Sequence, residues 1–428
     1  MENLKNSIEQ IVLESGLWNG DRRKTHQFLL SPNVYEVTEA KKKVLESIGF
    51  VLEDCLVGLS RIATIATDPH LSSGKAWDMI AKTFRVGIPK IYSDLIGLKP
   101  KQIPLICKVD LLEDTDGNYF LAEIDGHNKH GMGYTTLFAR IRKVISPQAS
   151  SFQGVTYTVA ERIKEKGFSE IVFLYSERER FYYPEFQIFK SELLKEHGIN
   201  VVLVSENEVE VCNGKMFTVG DREITQQFFV DFPFLYENNK LCLLLAEKYK
   251  EGKIDFLIPP KPFFGSKVLL GLLRNDEENK DIEAILRSHI PSKSLETIRR
   301  HIPKTYLMDG KEKEPYWRSR MNGTAFVLKE CISSGSKGTV FSNSERFNIL
   351  FPKAIRAKFQ YVMQEAVPNK SYTLPYFSET GGVMEKEWNT RIIVYYSRRC
   401  IADIVVTACE DNIVHGGPNA LMFGTTLV

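Results

Sequence analysis

The stretch KVDLLEDTDGNYFLAEIDGHNKHGMGYTT, residues 108–136, carries the side chains of this chain that are best suited to chemistry. Two segments of strand character, 105–112 and 118–125, flank the dipeptide Asp116-Gly117. This dipeptide favours a tight turn, because glycine tolerates the positive φ that such turns require. The stretch therefore predicts a β-hairpin whose second strand ends in carboxylates, histidines and glycines.

Three carboxylates are expected to converge at one end of this hairpin. In a strand over 118–125, Glu123 and Asp125 are two residues apart and point to the same face. Asp110 reaches that face from the partner strand. Carboxylates this close repel one another unless a cation joins them, and Mg²⁺ is commonly held by carboxylates together with substrate phosphates. The residues predict a magnesium site, with an acidic surface hairpin as the alternative.

The loop after the hairpin adds three polar side chains, His127, Asn128 and His130. They are candidates for substrate contact beside the carboxylates, and one of the histidines is a candidate base for an amine. Their spacing matches no helical zinc motif, so we favour loop chemistry over metal ligation.

A lysine on a strand, followed by a loop of small residues, occurs in FVLKECISSGSKGTV. The apolar strand delivers Lys329 as a fixed positive charge, and the glycines of the loop allow close backbone approach to a phosphate. The alternative is an ordinary hairpin turn beside a solvated lysine. The loop residues predicted to contact nucleotide are Ser334, Gly335, Ser336, Lys337 and Gly338.

Two further motifs follow this loop. In YVMQEAVP, a strand runs into Gln364 and Glu365, a polar linker that suits an adenine ring or is simply an exposed strand end. In EWNTRIIVYYS, Arg391 stands at the head of an apolar strand, where it would bridge phosphate oxygens or extend to solvent at a sheet edge. Nothing local decides between these alternatives.

The elements that must position these residues follow from periodicity. Residues 1–100 have helical spacing, as in VTEAKKKVLESIGFVLEDCLVGLSRIATIA, where apolar residues share one face of a 3.6-residue period. Between 166 and 275 strands and helices alternate, which predicts a small open α/β unit with buried parallel strands. Helical spacing returns at 283–302, and 323–428 is rich in strands. Residues 309–320 are predicted to form a mobile loop. The apolar positions placed on the helix face are Val44, Ile48, Val51, Leu52 and Leu56.

Composition limits the possible functions. The length of 428 residues predicts two or three domains. The 56 Lys and Arg against 54 Asp and Glu leave a net charge of +2, which gives no general case for nucleic acid or membrane binding. Seven scattered cysteines without a CxxC pair predict reduced thiols and a cytoplasmic protein.

Taken together, the motifs resemble the ATP-grasp superfamily. The hairpin is similar to the metal-binding end of an ATP-grasp ligase, where a basic-x-Asp pair faces a Glu-x-Asn pair after an Asp-Gly turn. That element usually follows the lysine strand and the hinge, whereas here it precedes them by about two hundred residues. Early placement is a feature of circularly permuted members such as glutathionylspermidine synthase and eukaryotic glutathione synthetase.

The resemblance implies a role for each matching residue of the hairpin. Asp110 and Glu123 match metal ligands, and Asp125 stands where the family usually has asparagine. Lys108 stands where the family has an arginine near the reacting groups, which keeps the charge but loses the bidentate fork. These two departures from the family pattern affect the expected substrate contacts more than the expected fold.

The resemblance extends to the nucleotide site. Lys267 matches the first phosphate lysine, with Ser266 in place of the usual asparagine, and Lys329 matches the second. The loop 333–338 matches the phosphate loop. The remaining matches are Gln364 and Glu365 for the adenine hinge and Arg391 for a catalytic, phosphate-facing arginine.

The fold implied is α+β, a circularly permuted ATP-grasp fold with a small open α/β pre-ATP-grasp domain and a helical amino-terminal region. The predicted divisions are a helical region 1–104, a core hairpin and helix 105–165, a substrate domain 166–275, a helical linker or lid 276–322 and a nucleotide-binding domain 323–428.

The activity implied is ATP-dependent ligation of a carboxylate to an amine through an acyl phosphate, with ATP and Mg²⁺ as cofactors. The substrates would be an amino acid, a peptide or a polyamine-like molecule, with no nucleic acid or membrane partner, and a homodimer is compatible with this interpretation. Arg180, in SERERFYYPE, is a further candidate for a substrate carboxylate or else a solvated surface charge.

Three alternatives remain open from the sequence. The first is a small-molecule kinase on the same ATP site, and the second is a nucleotide-binding protein without catalysis. The third is an ATP-grasp fold that is not permuted, with Glu410, Asp411 or Asn419 as metal ligands.

Overall fold

The protein is described by a computed structural model that covers residues 2–18, 27–127, 129–219, 222–234, 237–274, 279–333, 338–417 and 419–428. Its strands are β1 Leu29–Leu30, β2 Tyr35–Val37, β3 Cys107–Glu113, β4 Tyr119–Asp125, β5 Glu170–Tyr175, β6 Asn200–Ser205, β7 Val209–Cys212, β8 Lys215–Thr218, β9 Glu223–Ile224, β10 Phe228–Asp231, β11 Asp255–Ile258, β12 Thr305–Leu307, β13 Phe326–Glu330, β14 Thr339–Phe341, β15 Tyr361–Glu365, β16 Ser371–Phe377, β17 Val383–Ser397, β18 Cys400–Cys409 and β19 Leu421–Leu427. Its α-helices are α1 Glu2–Glu14, α2 Glu39–Thr67, α3 Lys75–Phe84, α4 Met132–Ile145, α5 Val155–Glu165, α6 Tyr183–His197, α7 Asn239–Lys250, α8 Val268–Leu273, α9 Lys280–His289, α10 Ser292–Arg300, α11 Glu314–Arg320 and α12 Glu345–Arg356.

A large, mostly antiparallel sheet is the centre of the fold. Its strand order is β1-β19-β18-β17-β3-β4, with β16 paired to β17 and β2 paired to β19. The predicted hairpin is therefore present as β3 and β4, and β3 pairs with β17 far along the chain. Gly117 has a φ of 84°, as the Asp-Gly turn requires.

The two faces of the large sheet have different roles. Residues at one parity, such as Val109, Leu111 and Ile392, are buried in a core shared with helices α2, α3, α9 and α10. Residues at the other parity, such as Lys108 and Asp110, face a cavity. Because side chains alternate along a strand, the apolar face fixes which polar side chains meet on the other face.

Helix α2 shows how the apolar spacing builds that core. The hydroxyl of Thr38 accepts a hydrogen bond from the backbone N–H of Lys41 and caps the amino terminus. Ile48 and Leu52 are almost completely buried, which stabilises the fold by roughly 1.5–3 kcal/mol for each large aliphatic side chain. The prediction for Val44 was wrong, because its side chain is exposed and that of Leu45 is buried in its place.

Two of the three smaller sheets lie beside the cavity, and the third has the order β7-β8-β9. A parallel sheet has the order β11-β10-β5-β6, which confirms the parallel strands expected from the apolar runs near 228 and 255. An antiparallel sheet has the order β12-β15-β13-β14 and carries the predicted lysine strand as β13. The whole is a mixed α+β fold, while the predicted domain boundaries stay a prediction.

Four local predictions differ from the structure. The amino-terminal helical region also contributes β1 and β2 to the large sheet. The linker 276–322 contributes β12 to the antiparallel sheet. The predicted mobile loop 309–320 contains helix α11, because Trp317 is buried against the antiparallel sheet and orders the segment. Arg391 lies in the middle of β17 rather than at its head. The strand begins earlier than predicted because residues 383–389 also pair with β16.

All seven cysteines are free thiols, as expected from their spacing. Within the described residues, no helix is both long and apolar enough to cross a membrane.

Helices α4 and α6 are in close contact at Gly133, and a substitution at this residue tests the contact. A Cβ atom added at Gly133 would stand 2.2 Å from the backbone oxygen of Glu185 and 2.9 Å from its carbonyl carbon. We expect Gly133→Ala to lower the free energy of unfolding by about 1–3 kcal/mol, because backbone atoms must move apart to admit the methyl group. Urea-induced unfolding would measure this change.

Gly382→Ala is the matched control, because its nearest neighbour would be the hydroxyl of Ser378 at 3.5 Å. We expect its free energy of unfolding to stay within about 0.5 kcal/mol of the parent protein. Equal effects of the two substitutions would contradict the close packing of α4 on α6.

Candidate active site

The hairpin register brings the predicted carboxylates together. Asp110 pairs with Glu123 across β3 and β4, and Lys108 pairs with Asp125. The register then shifts by one residue, which leaves Ala122 outside the ladder as a β-bulge. The expectation that these side chains share one face is confirmed by the register, and all four line the cavity.

Each of the three carboxylates has a cation beside it. Arg391 Nη1 lies 3.0 Å from Asp110 Oδ2, and Lys108 Nζ lies 3.0 Å from Asp125 Oδ2. Lys267 Nζ lies 2.9 Å from Glu123 Oε1, and this lysine is itself only 4% exposed. Buried charges of this kind are tolerated only when they are paired, so the site is built from interlocking ion pairs.

The pair between Lys108 and Asp125 is strongly coupled. Burial alone would raise the pKa of Asp125, but Lys108 and the neighbouring His127 hold that pKa well below its usual range. Burial would likewise lower the pKa of Lys108, but Asp125 and Asp110 raise it above its usual value. Both groups are therefore charged across the physiological pH range.

Two carboxylate oxygens at this site have unused hydrogen-bonding capacity. Asp110 Oδ1 and Asp125 Oδ1 are buried, and neither has a hydrogen-bond partner among the described residues. His127 Nδ1 lies 3.2 Å from Asp125 Oδ1. Hard oxygen donors left over beside a cavity fit Mg²⁺, which needs only one or two carboxylates when phosphates supply the rest.

The three carboxylates do not form a complete metal cage. Across the described ranges, no group of three or more His, Cys, Asp or Glu side chains is arranged as a metal site. Asp110 and Glu123, directly opposite each other, are the pair best placed to share one ion. Asp125 is placed between Lys108 and His127, so its predicted role as a ligand stays a prediction.

The two predicted phosphate lysines reach the hairpin from distant elements. Lys267 precedes helix α8, and its Nζ also donates to the backbone oxygen of Ser333 at 3.2 Å. Lys329 on β13 donates to the oxygen of the bulged Ala122 at 2.8 Å and to Gln364 Oε1 at 2.6 Å. Burial, reinforced by the nearby charge of Lys267, lowers the pKa of Lys329 to about 8.

The predicted adenine hinge has a different local role for each residue. The side chain of Gln364 is buried and connects Lys329 to the hydroxyl of Thr305, at 2.9 Å from its Nε2. The backbone N–H groups of Glu365 and Ala366 donate to neighbouring strands at 2.8 and 2.9 Å. A backbone donor for adenine would therefore have to come from a residue after Ala366.

The phosphate loop is described only at its ends. The backbone of Ser333 contacts Lys267, and a Cβ at Gly338 would stand 2.5 Å from the hydroxyl of Ser333 and 2.6 Å from Glu330 Cβ. Glycine is thus needed where the loop returns to β14. The predicted residues Ser334, Gly335, Ser336, Lys337 and, in the other loop, Asn128 lie outside the described residues.

A cavity of about 600 Å³ lies between the polar face of the large sheet and the parallel sheet. Both His127 and His130 line it, as expected for candidate substrate contacts. Arg180 does not: it is exposed and paired with Glu177, while its neighbours Arg178 and Phe181 face the cavity. The volume suits a small molecule.

The sequence did not predict several cavity residues, and three of them form one cluster. Lys129, only 1% exposed, lies 3.1 Å from both Glu179 Oε1 and Asp231 Oδ2. Glu179 follows β5 and Asp231 ends β10, neighbouring parallel strands. Ligands of open α/β sheets bind outside the carboxyl ends of the strands, so this rule would have found both acids.

The alternative metal ligands of a fold that is not permuted lie elsewhere. Glu410 is exposed and paired with Lys386, and Asp411 and Asn419 are also exposed. None of the three belongs to the described lining of the cavity. The geometry therefore favours the hairpin carboxylates over this group.

The buried pair of Arg391 and Asp110 gives a stability prediction. We expect Arg391→Met to lower the free energy of unfolding by about 3 kcal/mol, because it leaves the buried side chain of Asp110 without its ion-pair partner. Adding Asp110→Asn should recover part of that loss, with a coupling of about 1–3 kcal/mol in a double-mutant cycle followed by urea unfolding.

A surface pair that includes another residue of β17 provides the control. Lys386 and Glu410 are about half exposed, so Lys386→Met should change the free energy of unfolding by no more than about 0.5–1 kcal/mol. Additive effects of Arg391→Met and Asp110→Asn would show that the buried pair is not coupled.

No protein-family model and no curated protein sequence matches the chain. Among solved structures, a glutathione synthetase-like effector from Globodera pallida in its apo form is similar, with a TM-score of 0.57 and 13% identity, covering 100% of this chain and 96% of that chain. A protein from Methylobacillus flagellatus, provisionally described as a gamma-glutamylcysteine synthetase, matches with a TM-score of 0.36 and 9% identity over 72% of this chain and 76% of its own. The first similarity shows that this chain has a fold like that of the glutathione synthetase-like effector.

Proposed function

We propose that this protein is an ATP-dependent ligase that joins a carboxylate to an amine through an acyl phosphate, in a circularly permuted ATP-grasp fold. The fold neighbour is described as glutathione synthetase-like, which makes ligases of amino acids and peptides the first class to test. The proposal depends mainly on side-chain contacts within this chain.

One observation carries the proposal. Lys267 contacts Glu123 across 144 residues of sequence, and Lys329 contacts the bulge at Ala122 across 207 residues. The lysines predicted to hold phosphate and the carboxylates predicted to hold metal thus meet at one place, although neither motif contains the other. A metal-bound triphosphate carries both positive and negative charge, so a site for it needs lysines and carboxylates side by side.

The same residues account for the chemistry of the first step. Transfer of a phosphoryl group to a carboxylate depends mostly on positioning and charge neutralisation. In the proposed arrangement, Lys267 and Lys329 bind the phosphates, and Arg391 stabilises the transferring group. Asp110 and Glu123 would hold Mg²⁺, which neutralises charge on the triphosphate when it is bound.

The charged walls of the cavity support the proposed class of substrate. Its polar wall carries Lys108 and Arg391 beside the carboxylates, and its far wall carries Lys129, Glu179 and Asp231. A molecule that bears both positive and negative groups can be held between these walls. Amino acids, peptides and polyamine conjugates have this character.

The ligase proposal predicts a specific pattern of phosphate release. We expect ADP and inorganic phosphate to appear only when ATP, Mg²⁺, a carboxylate and an amine are present together, because the acyl phosphate needs both partners. A phosphate-release screen over paired amino acids, small peptides and polyamines measures this requirement. Removing Mg²⁺ with a chelator should stop the release.

Other outcomes of the screen have definite meanings. Formation of ADP and a phosphorylated product without any amine would indicate a kinase and contradict the ligase proposal. Nucleotide binding by isothermal titration calorimetry without turnover for any pair would indicate a binding protein without catalysis.

The permuted order predicts which acidic residue is essential. We expect Glu123→Gln to reduce kcat by at least about a hundredfold, or ~2.7 kcal/mol in transition-state stabilisation, because it removes a proposed metal ligand and the partner of Lys267. Asp411→Asn should retain the kcat of the parent protein, since its side chain is exposed and lies outside the cavity lining.

The reverse result would overturn the permuted assignment. An active Glu123→Gln together with an inactive Asp411→Asn or Asn419→Ala would place the metal at the other end of the chain. Circular dichroism of each variant shows whether the loss reflects unfolding.

A further inference from the structure

One carboxyl group in the cavity differs from the others in its partners. The acids that line the described part of the cavity each lie within 3.1 Å of a lysine or arginine, with the exception of Glu185. Glu185, on helix α6, is only 1% exposed and makes no ion pair with any described residue. A buried carboxyl without a cation needs another way to be stabilised.

Backbone groups occupy one oxygen of Glu185 and leave the other unused. Its Oε1 accepts hydrogen bonds from the N–H groups of Gly131 and Gly133, the latter at 3.3 Å. Its Oε2 is buried and has no hydrogen-bond partner among the described residues. Gly133 has no room for a Cβ here, which explains the glycines in the sequence HGMGY.

The surroundings of Glu185 favour its neutral form. The hydroxyl-bearing rings of Tyr134, Tyr182 and Tyr395 lie near it, and Tyr395 also donates to the backbone oxygen of Gly131 at 3.1 Å. Lys108 is the nearby cation, but it is bound to Asp125. Burial therefore raises the pKa of Glu185 to about 8.

We propose that the carboxyl group of Glu185 binds the amine co-substrate and accepts its proton, an inference that rests on the ligase function proposed above. In this step the amine nitrogen attacks the acyl carbon, the new C–N bond forms, and the C–O bond to the phosphate breaks. Phosphate leaves with the bonding electrons, and the proton lost from nitrogen moves to the carboxylate of Glu185. Atoms and charge balance without any further reactant.

The pKa of Glu185 suits this role better than the pKa of His130 does. A general base is most effective when its pKa lies near the working pH, because it must be unprotonated and still basic enough to accept a proton. Burial lowers the pKa of His130 to about 3, and its ring is stacked on Tyr182 with centroids 3.8 Å apart. His130 is therefore a poor proton acceptor, although it lines the same cavity.

Glu185→Gln tests the proposal without removing the hydrogen bonds to Gly131 and Gly133, because the amide oxygen accepts both. The assay uses ATP·Mg²⁺ with pools of amino acids and dipeptides, which supply carboxylates and amines, and follows amide products by mass spectrometry. Parallel reactions contain hydroxylamine, a nucleophile that is largely unprotonated at neutral pH and traps acyl phosphates as hydroxamates. Glu192→Gln, on the same helix but paired with Arg140 outside the cavity, is the matched control.

We expect Glu185→Gln to reduce amide formation by at least about a hundredfold while hydroxamate formation stays within about threefold of the parent rate. The parent enzyme should show amide formation that rises with pH up to about 8, and the control should behave like the parent. Amide formation at the parent rate in Glu185→Gln would overturn the proposal. So would an equal loss of hydroxamate, which would indicate a role in binding or activating the carboxylate.

If the parent protein makes no hydroxamate from any pool, the proposed ligase function is itself wrong, and the inference about Glu185 fails with it.

A measurement without substrate adds a second test. A glutamate whose pKa is raised in the folded state loses stability as pH rises from about 4.5 to about 8. The thermal midpoint of Glu185→Gln should therefore rise relative to the parent over this window, and a constant difference would overturn the proposed protonation.

Discussion

The ion pair between Lys267 and Glu123 is the contact on which the site depends. It joins a loop ahead of helix α8 to the second strand of the hairpin; Lys267 is almost completely buried, and Glu123 is partly buried. Removing charges from water is costly, so each must find its opposite at close range. The same strand also accepts a hydrogen bond from Lys329 at the oxygen of Ala122, which connects the antiparallel sheet to the large sheet at this place.

The same constraint explains why the cavity wall alternates in sign. Acids and bases from distant parts of the chain meet there as pairs, and within the hairpin the strand register places Lys108 opposite Asp125. Glu185 is the exception, held by two backbone N–H groups instead of a cation. A ligand with a positive nitrogen would meet a wall in which the other carboxylates are already neutralised by cations of the protein.

Much of the hairpin could be predicted from the sequence because its information is local. The Asp-Gly turn, the alternation of apolar residues and the two-residue spacing of Glu123 and Asp125 all act within a few positions. The contacts of Lys267 and Lys329 could not be found this way, since nothing in their own segments encodes a partner more than a hundred residues away. Only the resemblance in motif order suggested them.

The failures of prediction share a physical cause. Lys129 and Glu179 lie in polar stretches that look solvated, and Asp231 is a charged residue at the end of an apolar strand. The three side chains neutralise each other inside the cavity. Trp317 likewise orders a segment whose charged neighbours suggested a loop. In both cases burial is decided by tertiary contacts, which outweigh the local composition.

The large sheet draws strands from both ends of the described chain. Strands β1 and β2, near residue 30, pair with β19, whose last residue is Leu427. During synthesis the parallel sheet, made from residues 170–258, can form from continuous chain, whereas the large sheet must wait until its last strand has left the ribosome. The polar wall of the cavity joins the hairpin β3–β4 to β17, so it forms only after a strand from much later in the chain has been synthesised. Until then helix α2 has no complete sheet to cover.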